Sequence, residues 1–324
     1  MTQLPPPDTA TEFLAAPSTL LSVERYLERD AMEGGFVLVG PQAQGKATLA
    51  YMLAATLLSG GRRLGESDDK VRSLITAGAH PDLHVLERTE NEKTGKLRDE
   101  IDVAAARKVI EGLHKTSISG RMVVIVDLAD ELRREAANSL LKILEEPPKG
   151  AVLLLLSQST SRLLPTLTSR CRRLVLSRVA EEPLAAWLRT KTELSQEEAT
   201  QIAAASGGAP GHALRLALGE GQEALAIADR WLRAVLGKDD LVAVSREFSG
   251  KAAEDKRAEA TDLILGRLRK GAMANDLTSD VMASRIAAYE AAQQTFAAQG
   301  TADPAQTAYI AGLAVRDALH KGAA

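Results

Sequence analysis

The stretch FVLVGPQAQGKATLA, Phe36 to Ala50, constrains this chain more than any other. It reads as a buried strand, a glycine loop and the start of a helix, the setting of a phosphate-binding loop of pattern G-x-x-x-x-G-K-[ST]. Gly40, Gly45 and Lys46 meet the pattern, and Ala47 breaks it. Each part serves a different purpose. The glycines let backbone N–H groups converge on phosphate oxygens, the lysine brings charge to the outer phosphates, and the hydroxyl holds Mg²⁺. Ala47 has no hydroxyl. Thr48 has one, but a single step along a helix turns a side chain by about 100°, away from the metal position. The loop is therefore suited to cradling phosphate and poorly suited to holding a metal. Lys46 can also be read as a helix-start lysine with no ligand.

A chain of 324 residues exceeds one typical domain, and two or three are expected. A net charge of −3 argues against a surface built to coat nucleic acid, and 3% aromatic residues argue against base stacking as its main device. Cys171 is the single cysteine, which excludes an intramolecular disulfide and a cysteine-only zinc site. The N-terminal MTQLPPPDTATEFLAAP lacks the basic start and apolar core of a secretory signal. The aliphatic run AVLLLL falls far short of the ~20 residues that span a bilayer. A cytoplasmic protein with no membrane contact is expected.

From Phe36 to about Ser177, short apolar runs at 36–39, 83–86, 122–126, 151–156 and 174–176 alternate with helical stretches at 46–58, 102–114 and 132–145. Such alternation predicts an α/β domain with a mainly parallel sheet, spanning residues 1–178, with ligands outside the carboxyl ends of the strands. The polar, glycine-containing stretch 60–100 reads as a long surface insertion. After Ser177 the strand signals stop. EEPLAAWLRTK, SQEEATQIAAAS and GGAPGHALRLA predict a small helical domain over 179–219. Alanine-rich segments at 222–236, 254–270, 276–298 and 303–321 predict an all-helical domain over 220–324.

A second motif lies in RMVVIVDLADELRREAANSLLKILEEPPKG, where a hydrophobic strand ends in Asp127. In a working loop NTPase an acid there holds Mg²⁺, and in one large class a following glutamate polarises the attacking water. Here Leu128 follows. Asp130 and Glu131 come next, but in the strand-to-helix turn they need an unusual backbone path to replace that glutamate. Asp127 alone can simply cap a turn; paired with the Gly40–Lys46 loop it reads as the second half of a degenerate nucleotide site.

NSLLKILEEPPKGAVLLLLS, followed by RLLPTLTSRCRRL, resembles the clamp-loader branch of the AAA+ ATPases. The resemblance is densest over 36–58 and 121–177 and extends to the helical regions mainly in layout. It implies an AAA+ type α/β domain, a helical lid and a helical collar in a hetero-oligomeric ring or spiral that places a sliding clamp on primed DNA. It further implies a non-hydrolysing subunit of the bacterial replicative polymerase holoenzyme, a stationary arm with no independent catalysis. Its Arg170, in the SRC triplet, would reach the ATP held by a neighbouring motor subunit (gamma or tau). A delta subunit, the sliding clamp and primer-template DNA are the other implied partners. The resemblance implies no required cofactor, ATP or ADP being at most weakly bound. Gly211 stands where a hydrolysing relative usually has an arginine. Many members carry a cysteine zinc module between the two nucleotide motifs. This chain has no cysteine there; His80 and His84, four residues apart, read as loop residues, and no zinc is expected.

Other candidates have plain readings beside functional ones. Cys171 reads as a small packing residue, and Arg170 can be a solvated arginine at a strand start. Arg162, Arg172, Arg173 and Arg178 form a basic cluster, a solvated face or an approach to nucleic acid. Two competing functions remain. One is an active AAA+ ATPase in which Thr48 and Asp130 or Glu131 replace the missing groups. The other, weaker, is a small-molecule kinase, which leaves the helical tail unexplained.

Overall fold

The computed structural model describes residues 6–89, 98, 100–113, 116–219, 221–249, 254–272, 278–297 and 303–321. They divide into two compact units, Leu4–Arg178 and Val179–Ala324.

The first unit is built on five strands: β1 Gly34–Val39, β2 Leu83–Leu86, β3 Met122–Val126, β4 Ala151–Ser157 and β5 Cys171–Val175. All are parallel, in the order β2-β3-β4-β1-β5. Parallel strands need crossover connections, which put helices on both faces and bury the central strands on both sides. β3 and β4 are accordingly buried along their whole length. The flanking helices are α1 Pro17–Glu28, α2 Lys46–Leu58, α3 Asp69–Thr76, α4 Val103–Leu113, α5 Arg134–Glu145 and the short α6 Pro165–Thr168. Alternate strand residues feed two apolar layers. Leu38, Ile125 and Leu154 pack with α1, α2 and α3, while Val37, Val124 and Leu155 pack with α4 and α5. The phosphate-loop sequence follows β1 and Asp127 follows β3, so both leave the carboxyl edge of the sheet, separated by β4.

Among the described residues the regular elements of the second unit are helices: α7 Glu181–Lys191, α8 Gln196–Ala205, α9 Pro210–Ala217, α10 Gln222–Val235, α11 Leu241–Ser245, α12 Glu254–Ala272, α13 Ser279–Ala297 and α14 Pro304–Lys321. Ser195 and Glu198 form a reciprocal capping box that fixes the start of α8. A core around Trp231, Phe248 and Phe296 joins α10 to α14, and the Trp231 indole N–H donates to the Ala308 carbonyl at 3.0 Å. Ion pairs from Arg215 to Glu259 and from Lys270 to Glu181 tie α7 and α9 to α12.

The expected parallel α/β arrangement followed by helices is therefore present. Three local expectations need correction. The stretch 60–100 is not simply a surface insertion, because α3 lies within it; its residues 90–97 and 99 lie outside the described residues. The last strand runs over Cys171–Val175 rather than 174–176. His84 lies in β2 rather than in a loop. Among the described residues no helix is long and apolar enough to cross a membrane.

Candidate functional site

Gly40 leaves β1 with its N–H donating to the Ser157 carbonyl at 3.2 Å, and a Cβ on it would lie 2.9 Å from the Leu176 carbonyl. Ala43 and Gly45 both have positive φ, 57° and 84°. These left-handed turns curl the loop into a concavity of the kind that gathers backbone N–H groups. The N–H groups of Ala43 and Gly45 take no protein partner among the described residues. Gly45 precedes the first turn of α2, whose amide ends favour an anion. The Lys46 ammonium bends back over the loop and donates to the Gly40 and Pro41 carbonyls, each at 2.8 Å. A phosphate would add an opposite charge to bonds that the ammonium now makes to neutral carbonyls, which favours the exchange. These residues fit a phosphate.

They do not fit its metal. The Ala47 side chain packs against the apolar layer formed by α1 and α2 rather than offering an oxygen. Tyr51, one turn further along α2, has its phenol pKa pushed up to about 12, first by burial and then by the negative charges of Glu87, Asp8 and Asp127. Burial likewise pushes the Asp127 carboxyl above the usual carboxylate range, against the pull of the Leu128 N–H and of the Lys46 and Arg88 charges. Leu128 adopts a left-handed backbone, φ 56°, and opens a 3-10 turn over Ala129–Glu131.

That turn settles what its acids do. Asp130 accepts from the Ser157 hydroxyl and from the Gln158 N–H at 2.8 Å, closing the end of β4. Glu131 pairs with Arg88, Nε to Oε2, at 3.2 Å. Both carboxylates are engaged in fastening loops. Thr48 lies inside the first turn of α2.

Arg170 lies between α6 and β5. Leu163 and Leu167 anchor this segment in the core, and the Arg170 N–H donates to the Leu167 carbonyl at 3.1 Å. The guanidinium is gripped on two sides. Nε donates to Glu145 Oε1 at 2.8 Å, and Nη2 lies 2.5 Å from the same oxygen. Nη1 donates to the Thr166 carbonyl at 3.0 Å and to the Ser169 hydroxyl at 3.3 Å. The side chain keeps 35% exposure. LEEPP and SRC, distant in sequence, thus meet through Glu145 and Arg170.

The remaining candidates are mainly structural. Cys171 packs against the α4–α5 layer, and burial pushes its thiol up to about 11. Arg172 donates to the Ala31 and Glu33 carbonyls and lies over the Phe36 ring at 5.3 Å, so it braces the start of β1. His80 Nδ1 accepts from the Asp82 N–H at 3.2 Å. His84 approaches Gly112 so closely that a Cβ there would lie 2.5 Å from the ring. Among the described residues no three His, Cys, Asp or Glu side chains gather as a metal site. Three contributors escaped the sequence reading: Arg88, Glu145 and Phe13, whose ring would lie 2.9 Å from a Cβ on Gly45. Phe13 gives no periodic signal, whereas Glu145 was visible inside the LEEPP run.

Comparison with known proteins bears on the whole arrangement. The profile of the family described as "DNA polymerase III, delta subunit" matches residues 16–180. The DNA polymerase III subunit delta' of Pseudomonas aeruginosa is 38% identical over 56% of this chain and 55% of its own. The subunit delta' of Yersinia pestis is 30% identical over 69% of this chain and 67% of its own. The chain spans about half the length of most curated relatives it matches. A RuvB variant of Thermotoga maritima superposes with a TM-score of 0.44 at 16% identity, covering 68% of this chain and 67% of the other. On the profile and the delta' relatives, the chain belongs to the DNA polymerase III delta-prime subunit family.

Proposed function

We propose that this chain is a clamp-loader subunit that hydrolyses no nucleotide itself and acts as a stationary arm. Its Arg170 guanidinium reaches the ATP of a neighbouring motor subunit, of the gamma or tau kind, while a delta subunit, the sliding clamp and primer-template DNA complete the assembly. The observation that carries this reading is the engagement of Asp130 with the end of β4 and of Glu131 with Arg88. Ala47 packs against the apolar layer as well, so a site rebuilt from Asp130 or Glu131 would first have to break these contacts. Nucleotide, if bound, is held weakly by Gly40, Gly45 and Lys46 without a metal, and zinc plays no part. The exposed apolar side chains of Met282 and Ile286 on α13 and of Ile310 and Leu313 on α14 suit the packing of 220–324 against other subunits.

Arg170 has the chemistry that the reading asks of it. A guanidinium makes paired bonds to phosphate oxygens and stabilises charge that builds up during transfer. Supplied from another chain, such a group is worth about 10³ to 10⁵ in rate in the strongest cases; a motor with several shared sites should show less. Arg170→Ala is expected to leave the complex assembled and to lower its DNA- and clamp-stimulated ATPase by about tenfold, roughly 1.4 kcal/mol. Arg172→Ala and Arg173→Ala are the controls; because Arg172 also braces β1, Arg173→Ala is the cleaner one, and a loss there equal to that of Arg170→Ala would reduce the effect to general electrostatics. The isolated chain is expected to release no phosphate from Mg-ATP. Turnover above about 1 s⁻¹, an ordinary enzyme rate, would overturn the non-hydrolysing role.

A further inference from the structure

We infer that Glu145 is a positioning residue for Arg170: it holds one edge of the guanidinium so that the other edge is presented to a phosphate on a neighbouring subunit. The inference rests on the reading of Arg170 given above and extends it to a residue on a different element.

Two observations carry it. The first is how the contacts divide between the guanidinium nitrogens. Nε and Nη2 face a carboxylate, Glu145 Oε1, at 2.8 and 2.5 Å, whereas Nη1 meets only neutral local acceptors, the Thr166 carbonyl at 3.0 Å and the Ser169 hydroxyl at 3.3 Å. A guanidinium turning toward phosphate must surrender some of these contacts. All of these bonds are charge-assisted through the guanidinium, but only the Glu145 contact adds an opposite charge, so the Nη1 contacts are given up and the Glu145 contact is kept. The retained carboxylate fixes the plane and direction of a long side chain, which otherwise loses rotamer freedom when it engages.

The second observation is where Glu145 stands. It is the last residue of α5, and Glu146 follows at the cap. The carboxyl end of a helix carries partial negative charge, so a carboxylate there is unfavourable in its own helix. The Arg170 charge at that end compensates. Fold stability gives little reason for the pair, because both side chains are well exposed, 35% and 50%, and such ion pairs contribute little. A role in holding Arg170 accounts for the placement.

The test uses the assembled complex with DNA and clamp, with kcat and KM for ATP measured for Glu145→Ala, Glu145→Gln, Arg170→Ala and the Glu145→Ala/Arg170→Ala double variant. Melting of each lone chain is the folding control. Glu145→Ala is expected to lower kcat by about threefold or more through loss of preorganisation, with KM and melting temperature nearly unchanged. Glu145→Gln, which still accepts a hydrogen bond, should fall between Glu145→Ala and the parent chain. The double variant should be no slower than Arg170→Ala. If Glu145→Ala runs as fast as the parent or faster while Arg170→Ala is slow, Glu145 is a restraint or a bystander and the inference fails with the Arg170 role intact. A double variant slower than Arg170→Ala places Glu145 on another route and also sinks it. If Arg170→Ala itself leaves the rate unchanged, the underlying role of Arg170 fails, and the inference falls with it.

Discussion

Burial raises the pKa of Asp127, the largest influence on it, and the Leu128 N–H, Lys46 and Arg88 only partly offset that rise. A carboxyl whose folded pKa lies above its unfolded value binds its proton more tightly in the fold. Its stabilisation is complete below the unfolded value, about 3.9, and is lost as pH rises through the folded one. At pH 7, where the unfolded carboxyl is ionised, Asp127 therefore works against the fold. Asp127→Asn is expected to raise the melting temperature at pH 7, the gain shrinking to nothing as pH falls below about 4. Equal melting temperatures at pH 7 would show that the site solvates the charge after all. A residue kept against stability is one whose identity sequence can reveal, and Asp127 stood out at the end of its apolar strand. So did Gly40, Gly45 and Lys46, because backbone conformation and charge restrict each of those positions to few residue types. The uses of Asp130 and Glu131 were not legible. Whether an acid faces solvent, a hydroxyl on β4 or Arg88 depends on strand neighbours far away in sequence.

Strand β1 shows how one missing side chain lets several elements come together. Gly35 pairs with Leu153 on β4 and with Cys171 on β5. A Cβ on it would lie 2.5 Å from Leu144 Cδ2 on α5 and 2.7 Å from Cys171 Sγ. Gly35→Ala is expected to destabilise the chain by about 1–3 kcal/mol through overpacking, seen as a lower urea midpoint at unchanged slope. Adding Cys171→Ala should recover part of the loss, because it removes one of the two obstructing atoms; no recovery would put the whole strain on Leu144. Legibility at this scale followed the width of the apolar stripe. α2 is buried on several sides and its limits, 46–58, were readable from the sequence. α1 buries only Thr19, Val23 and Leu27, a narrow line that includes a polar residue, and it went unread. α3 buries only Ile75 and was absorbed into a supposed insertion. β5 is an edge strand that exposes Arg172 and Arg173 and buries Leu174, so its apolar signal starts late.

The two compact units have separate apolar cores, and their cores differ in kind. Leucine, valine and isoleucine from the sheet dominate the first, while Ala224, Ala228, Ala260, Ala292, Ala308 and Ala311 occupy much of the second. Burying alanine removes less apolar surface from water than burying leucine, so each helix contact in the second unit contributes less. Separate cores also remove the main reason for a single cooperative transition. The chain carries its own probes for the two units. Both tryptophans, Trp187 and Trp231, lie in Val179–Ala324, and the only cysteine, Cys171, lies in Leu4–Arg178. Tryptophan fluorescence therefore follows the helical unit, and reaction of Cys171 with a thiol reagent follows the α/β unit. The second probe is well suited because burial holds the thiol pKa at about 11 in the fold, leaving little reactive thiolate at neutral pH until the unit opens. In a urea titration the fluorescence change is expected at a lower midpoint than the gain of Cys171 reactivity, with far-UV circular dichroism spanning both. Coincident midpoints for all three would mean that the two cores unfold as one. Fluorescence lagging behind thiol exposure would reverse the order of stability argued from alanine and leucine.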